Sequence, residues 1–233
     1  MSAKETTTTR RLLILCALCA VALSVPLASA AQESKPVEGQ DGAAVRRPPE
    51  INVKPFEDIA LEGKKLVEQG RLGPDSTLDL SVTAELNDDG TLKPETVKID
   101  GAASDDSVDV LARQFVRALS QSKVFGILSE EGAKAVRLTL RLDRQNAFFE
   151  AASEMPSEDE AARMARGYDV LSHVASVTKR GTSEGELYNA IKFSNDGRQF
   201  IMTFEMPKDA AAKIIADLLA RKAAKEAAAG RKN

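Results

Sequence analysis

Cysteine is nearly absent from this 233-residue chain. Only Cys16 and Cys19 occur, both inside an N-terminal apolar run. The rest therefore has no disulfide, no thiolate nucleophile and no cysteine metal site. Histidine is represented once, by His173, so a histidine metal cluster cannot be assembled within one chain. There is no tryptophan and there are only two tyrosines. No glycine-rich phosphate loop follows a strand pattern, and no serine stands in a Gly-x-Ser-x-Gly elbow. A basic excess is missing too. The formal net charge is −3, and residues 1–30 carry a net +2 (Lys4, Arg10 and Arg11 against Glu5), which leaves −5 for the remainder. A mildly acidic body without a basic stripe argues against nucleic acid as a partner. These gaps leave no residue set from which to build an active site, so the expectation is a non-enzymatic protein with no cofactor and no metal.

What is present begins with an address. Lys4, Arg10 and Arg11 head an apolar run from Leu12 to Leu27, and Ala28-Ser29-Ala30 supplies a small-x-small cleavage pattern. Residues 1–30 read as a signal peptide cleaved after Ala30. The competing reading is an uncleaved anchor, since Leu12 to Ala30 approaches the roughly 20 residues a membrane helix needs. Either way the body is expected outside the cytoplasm: periplasmic, or held at the inner membrane facing the periplasm. Residues 31–55 are rich in Gln, Glu, Gly and Pro and read as a flexible tether.

The remainder reads as α+β. Phe56 to Gly70 is an amphipathic helix, with Phe56, Ile59, Ala60, Leu66 and Val67 apolar and Gly70 its stop. Leu78, Leu80, Val82, Ala84 and Leu86 alternate with polar residues, the period of a half-buried strand. Asn87-Asp88-Asp89-Gly90 marks a turn, and a second strand follows around Val97 and Ile99. Val108, Leu111, Ala112, Phe115, Val116 and Leu119 recur at helical spacing, with Ser104 as the expected N-cap. Val124 to Leu128 forms an apolar link that either plugs the end of the sheet or lines a ligand pocket. Val136, Leu138, Leu140 and Leu142 then alternate with Arg137, Thr139 and Arg141.

Beyond residue 147 the pattern is helix, hairpin, helix. Ser157 with Glu160 makes a capping box, and the anions Glu158 to Glu160 suit a helix first turn better than a cation site. Met164, Tyr168, Leu171, Val174 and Val177 are assigned to the buried face of that helix. His173 is read as structural or solvent-facing. Asp209 is the expected cap of the last helix, whose apolar side holds Ala212, Ile214 or Ile215, Leu218 and Leu219. Asn195-Asp196-Gly197 repeats the Asp-Gly turn 107 residues on, and that offset superposes Leu80 on Leu187 and Ala84 on Ile191. Residues 148–233 are accordingly either a degenerate repeat of 56–147 or a chance likeness.

The order helix, strand, Asp89-Gly90 turn, strand, helix, Val124-Phe125 link, strand resembles the C-terminal domain of the TonB family and its relative TolA. The resemblance covers Phe56 to Asp143. It implies small sheets with packed helices, an α-β-β-α-β unit followed here by a helix–hairpin–helix unit. It also implies an envelope protein that captures an extended segment of another envelope protein by strand addition, with energy transduction to outer-membrane transport as the family's task. The alternative is a soluble periplasmic scaffold or small-ligand binder. In that family the strand matching Val136 to Leu142 lies at the sheet edge, which makes Arg137, Thr139 and Arg141 the expected partner-binding residues. The chain departs from the family in lacking Tyr-Pro before the first helix and in its short tether.

Overall fold

The computed structural model describes residues 54–214 apart from Pro74, together with Asn52 and residues 216, 217 and 220. The segments read as signal or anchor, as most of the tether and as the chain's last turns lie outside these residues. Among the described residues no helix is long and apolar enough to cross a membrane.

One antiparallel six-stranded sheet carries the fold, in the order β2-β1-β3-β4-β6-β5. The strands are β1 (Leu78–Glu85), β2 (Lys98–Ala103), β3 (Ala135–Leu142), β4 (Asn146–Glu154), β5 (Ile191–Asp196) and β6 (Gln199–Pro207). Two residues, Gly197 and Arg198, join β5 to β6, and three, Asp143 to Gln145, join β3 to β4. There the Asp143 carboxylate accepts the backbone N–H groups of Gln145 and Asn146, both at 2.6 Å. Those two bonds hold its carboxyl below the usual range.

Registry explains which face is buried. Leu80, Leu140, Phe149, Phe204 and Ile191 form one cross-strand row, and Val82, Leu138, Ala151, Met202 and Phe193 the next. Helices cover this apolar face. The helix α1 (Lys54–Glu68) packs on α2 (Asp106–Ser122), which lies over β1 and β2. A short α3 (Gly126–Glu130) follows, then α4 (Glu158–Thr178) over β5 and β6, and α5 (Ser183–Ala190) against α4. A last helix, α6, starts at residue 208. Phe115 of α2 touches Phe56 of α1 at 5.9 Å and Phe149 of β4 edge-on at 6.4 Å, so one ring ties three elements together. The opposite face has no helix on it among the described residues.

Most element assignments stand, and several details change. Asp105, not Ser104, caps α2 by accepting from the N–H groups of Ser107 and Val108. Ser104 instead accepts from the Thr77 N–H and donates to Asp105. The apolar link plugs the sheet end, with Phe125 buried and Gly90, at φ +78°, so close to the Gly126 backbone that no Cβ would fit. Asp209 falls inside the first turn of its helix, because helical geometry already begins at Lys208. The division at residue 147 cuts through β4, and the two halves share one sheet. The offset of 107 fails as a structural match, since Leu187 belongs to α5 while Leu80 sits in β1.

The largest correction concerns α4. Its buried side is Ala161, Met164, Ala165, Tyr168 and Ser176, so Met164 and Tyr168 face inward as expected. Leu171, Val174 and Val177 point away, at 41%, 50% and 59% exposed. Steps of three residues from Tyr168 each fall about 60° short of a full turn, which carries the valine stripe outward. His173 is exposed beside it, as expected.

Tyr168 is the titratable member of this core. It stacks near Phe193 at 5.3 Å and Phe200 at 6.0 Å, and burial, aided by Glu131 and Glu130, pushes its phenol up to about 12. The folded state thus keeps a proton that the unfolded chain gives up near pH 10. This contribution is whole below pH 10 and is lost as pH rises through about 12. Tyr168→Phe is expected to flatten that alkaline decline. Denaturant midpoints of both proteins across the interval check it, and the difference isolates Tyr168 from Tyr188 and Lys208, which titrate in both.

Candidate functional site

The uncovered face of the sheet is polar because each strand alternates. On β1 it presents Asp79, Ser81, Thr83 and Glu85, and on β3 Ala135, Arg137, Thr139 and Arg141. The three residues expected to bind a partner are therefore together on one open surface. The strand that carries them is not an edge. β3 pairs with β1 from Ala135 to Leu142 and with β4 from Arg137 to Leu142. Its backbone groups are spent in two ladders, so capture by strand addition at β3 is closed. The place that the family resemblance assigns to a partner's strand is filled by this chain's own β4. The sheet edges are β2 and β5.

Arg137 and Arg141 differ in surroundings. Arg141 lies 3.5 Å from the Asp79 carboxylate and 5.7 Å above the centre of the Phe148 ring. It is held by an anion on one side and an aromatic face on the other. Arg137 has no side-chain partner among the described residues. It lines a groove of about 500 Å³ over the C-terminal half of β1 and the N-terminal half of β3. Lys98, at the start of β2, lines the same groove and also lacks a side-chain partner there.

Registry positions these two cations. Lys98, Thr83, Arg137 and Ala152 stand in one cross-strand row on β2, β1, β3 and β4. Small side chains at Thr83, Ala135 and Ala152 make the floor low. The 3₁₀ turn Pro94–Thr96 raises one wall, fixed by the Glu85 N–H donating to Thr96 Oγ1 at 2.9 Å and the Thr96 hydroxyl donating to the Lys93 carbonyl at 2.8 Å. Glu154 and Gln199 form the far side.

Three carboxylates line the groove, and two are already engaged from outside it. Lys93 donates to Glu85 at 2.8 Å, which holds the lysine above its usual range, and Arg198 meets Glu154 at 3.2 Å. Glu95 stands at the rim on the 3₁₀ turn. The floor thus offers an uncommitted guanidinium and ammonium between acids whose charge is largely answered elsewhere. Chemically, such a site can receive an anion.

A second cation, Lys208, went unnoticed in the sequence. It is buried, and its amine donates to the Ser76 and Asp143 carbonyls at 3.0 and 3.2 Å. Burial pushes its pKa down despite Asp143, Asp75 and Asp209 nearby. It pins the β6–α6 junction to the β3–β4 turn and to the approach to β1, a structural role. A lysine between a proline and an aspartate at a helix start carries no sequence signal of burial. Among the described residues no group of three His, Cys, Asp or Glu side chains is placed to hold a metal ion.

Comparison with known proteins gives no match: no family model, no curated protein and no solved structure is similar to the chain.

Proposed function

We propose that the protein is a non-enzymatic interaction module of the cell envelope, TonB-like in its first half, which binds a partner protein on the open face of its sheet. The observation that carries this reading is the clustering of Arg137, Thr139 and Arg141 on a face that no helix covers among the described residues. An interior strand has no backbone donors to share, so recognition there works through side chains. The N-terminal address supports the envelope as the setting. Energy transduction requires that the N-terminal segment stay in the membrane. Release of the protein with soluble periplasm would remove that task and leave a soluble scaffold or ligand binder.

A photo-crosslinking amino acid placed at Thr139, and as a control at the exposed Lys64 of α1, tests the surface in living cells. The expected result is a discrete envelope protein captured from position 139 and not from 64. No adduct at 139, or the same adducts at both positions, would overturn the reading.

A further inference from the structure

We infer that the groove between the 3₁₀ turn and β4 is a carboxylate-binding site, with Arg137 as its anchor and Lys98 as its second cation; this rests on the reading of the open face as the binding surface. Four observations converge on it. Arg137 and Lys98 line one groove of about 500 Å³. Neither has a side-chain partner among the described residues, although carboxylates stand close by. Two of those carboxylates are accounted for, Glu85 by Lys93 and Glu154 by Arg198, and the third, Glu95, stands at the rim. Finally, the floor beside the cations is kept low by Thr83, Ala135 and Ala152, which leaves room above the guanidinium.

The chemistry follows from the side chains. A guanidinium presents a planar fork that matches a carboxylate with two parallel N–H···O bonds. An ammonium adds a point charge and three donors without a preferred plane. Lys98 and Arg137 are separated by the β1 strand, two strand spacings or roughly 10 Å at the backbone. Side chains of that length can span the distance over Thr83, which stands between them in the row. Glu95 at the rim sets the limit, since it repels a ligand with many charges and favours one or two carboxylates on an otherwise neutral chain. The groove suits a short extended peptide segment better than a polyanion. The carboxylate itself comes either from an acidic side chain or from a chain end.

Three labelled hexapeptides of Ser, Gly and Gln or Glu separate these sources by fluorescence anisotropy on the intact protein. One has two internal Glu residues and an amidated end, one has Gln in their place with a free C-terminal carboxylate, and one has Gln and an amidated end. At least one carboxylate peptide is expected to bind tenfold or more tightly than the peptide without any. Which one binds names the source. Arg137→Ala is expected to weaken that binding about tenfold, the loss of one charge-assisted pair. Lys98→Ala should weaken it a few-fold, and rising salt should weaken it further. Arg113→Ala should leave it unchanged, because Arg113 lies on α2, outside the groove, and is held by Asp109. Equal binding of all three peptides, binding of none, or equal losses from Arg137→Ala and Arg113→Ala would overturn the site. A carboxylate site that fails here while crosslinks from Thr139 persist would leave the open-face reading standing with a different determinant.

Discussion

Thr139→Pro is expected to abolish folding. Thr139 lies in the middle of β3, opposite Ser81 on one side and Glu150 on the other. Proline removes a backbone donor and fixes φ near −65°, which a strand with two neighbours does not accommodate. The unpaired carbonyl alone costs about 1–3 kcal/mol once buried in the ladder. The further consequence is topological. β3 and β4 are the seam between the β2-β1 and β6-β5 pairs, so a break there separates the sheet into two ribbons. A domain of ordinary stability, about 5–15 kcal/mol, does not survive losing the packing of both. Circular dichroism of the variant should show an unfolded chain without a cooperative transition. A native spectrum with an unchanged midpoint would show that β3 is an edge after all, and would reopen strand addition as the mode of capture.

Phe115→Ala is expected to destabilise by about 3–5 kcal/mol, the range for deleting a fully buried phenyl ring. Its ring is 0% exposed and contacts both Phe56 and Phe149. The cavity would open where α1, α2 and β4 meet, and none of the three can move in without leaving another. The aromatic contacts add roughly 0.5–1.5 kcal/mol beyond area. Val110 serves as the comparison on the same helix, because it is 51% exposed and its change to alanine should fall within about 0.5 kcal/mol. Urea midpoints at constant slope measure both. Equal effects at the two positions would mean that α2 presents another face to the sheet.

Which parts were legible follows from how strongly each residue pattern constrains its surroundings. β1 and β3 are leucine and valine alternating with charge, and only one orientation buries them. The stripe of α2 was equally plain. β4 was not, because Ala147, Ala151 and Ala152 carry little strand preference and adjacent Phe148 and Phe149 blur the period of two. Missing that strand put β3 at an edge and a domain boundary at its neighbour. The segment Ser183–Ala190 fits a strand frame through Leu187 and Ile191, yet Thr182 caps it as a helix by accepting from the Gly185 N–H. In α4 the expected buried face holds at Met164 and Tyr168 and fails at Leu171, Val174 and Val177. Successive steps of three residues each turn about 60° off the face set by Tyr168, which carries the later members of the stripe to solvent.

The candidate site divides in the same way. Alternation alone placed Arg137, Thr139 and Arg141 on the polar side. That Arg137 is uncommitted while Arg141 is held depends on Asp79, Phe148, Glu85 and Glu154, and on where Lys93 and Arg198 spend their charge. Those relations cross strands far apart in the chain and exist only once registry is set.

The tight connection between β3 and β4 also bears on the order of events as the chain emerges from its N-terminus. When β3 has formed on β1, its other side is for a moment the open rim of a three-stranded sheet, the kind of rim on which neighbouring chains aggregate. Only three residues, Asp143 to Gln145, separate its end from the segment that covers it. Closing so short a loop takes on the order of 10–100 ns, and a hairpin forms within about 1–10 μs, far faster than residues are added at about 5–20 per second. The vulnerable rim is thus shielded about as soon as β4 is synthesised. The later pairing of β6 with β4 has to wait for the 44 residues from Met155 to Arg198, so the outer side of β4 stays open far longer than that of β3.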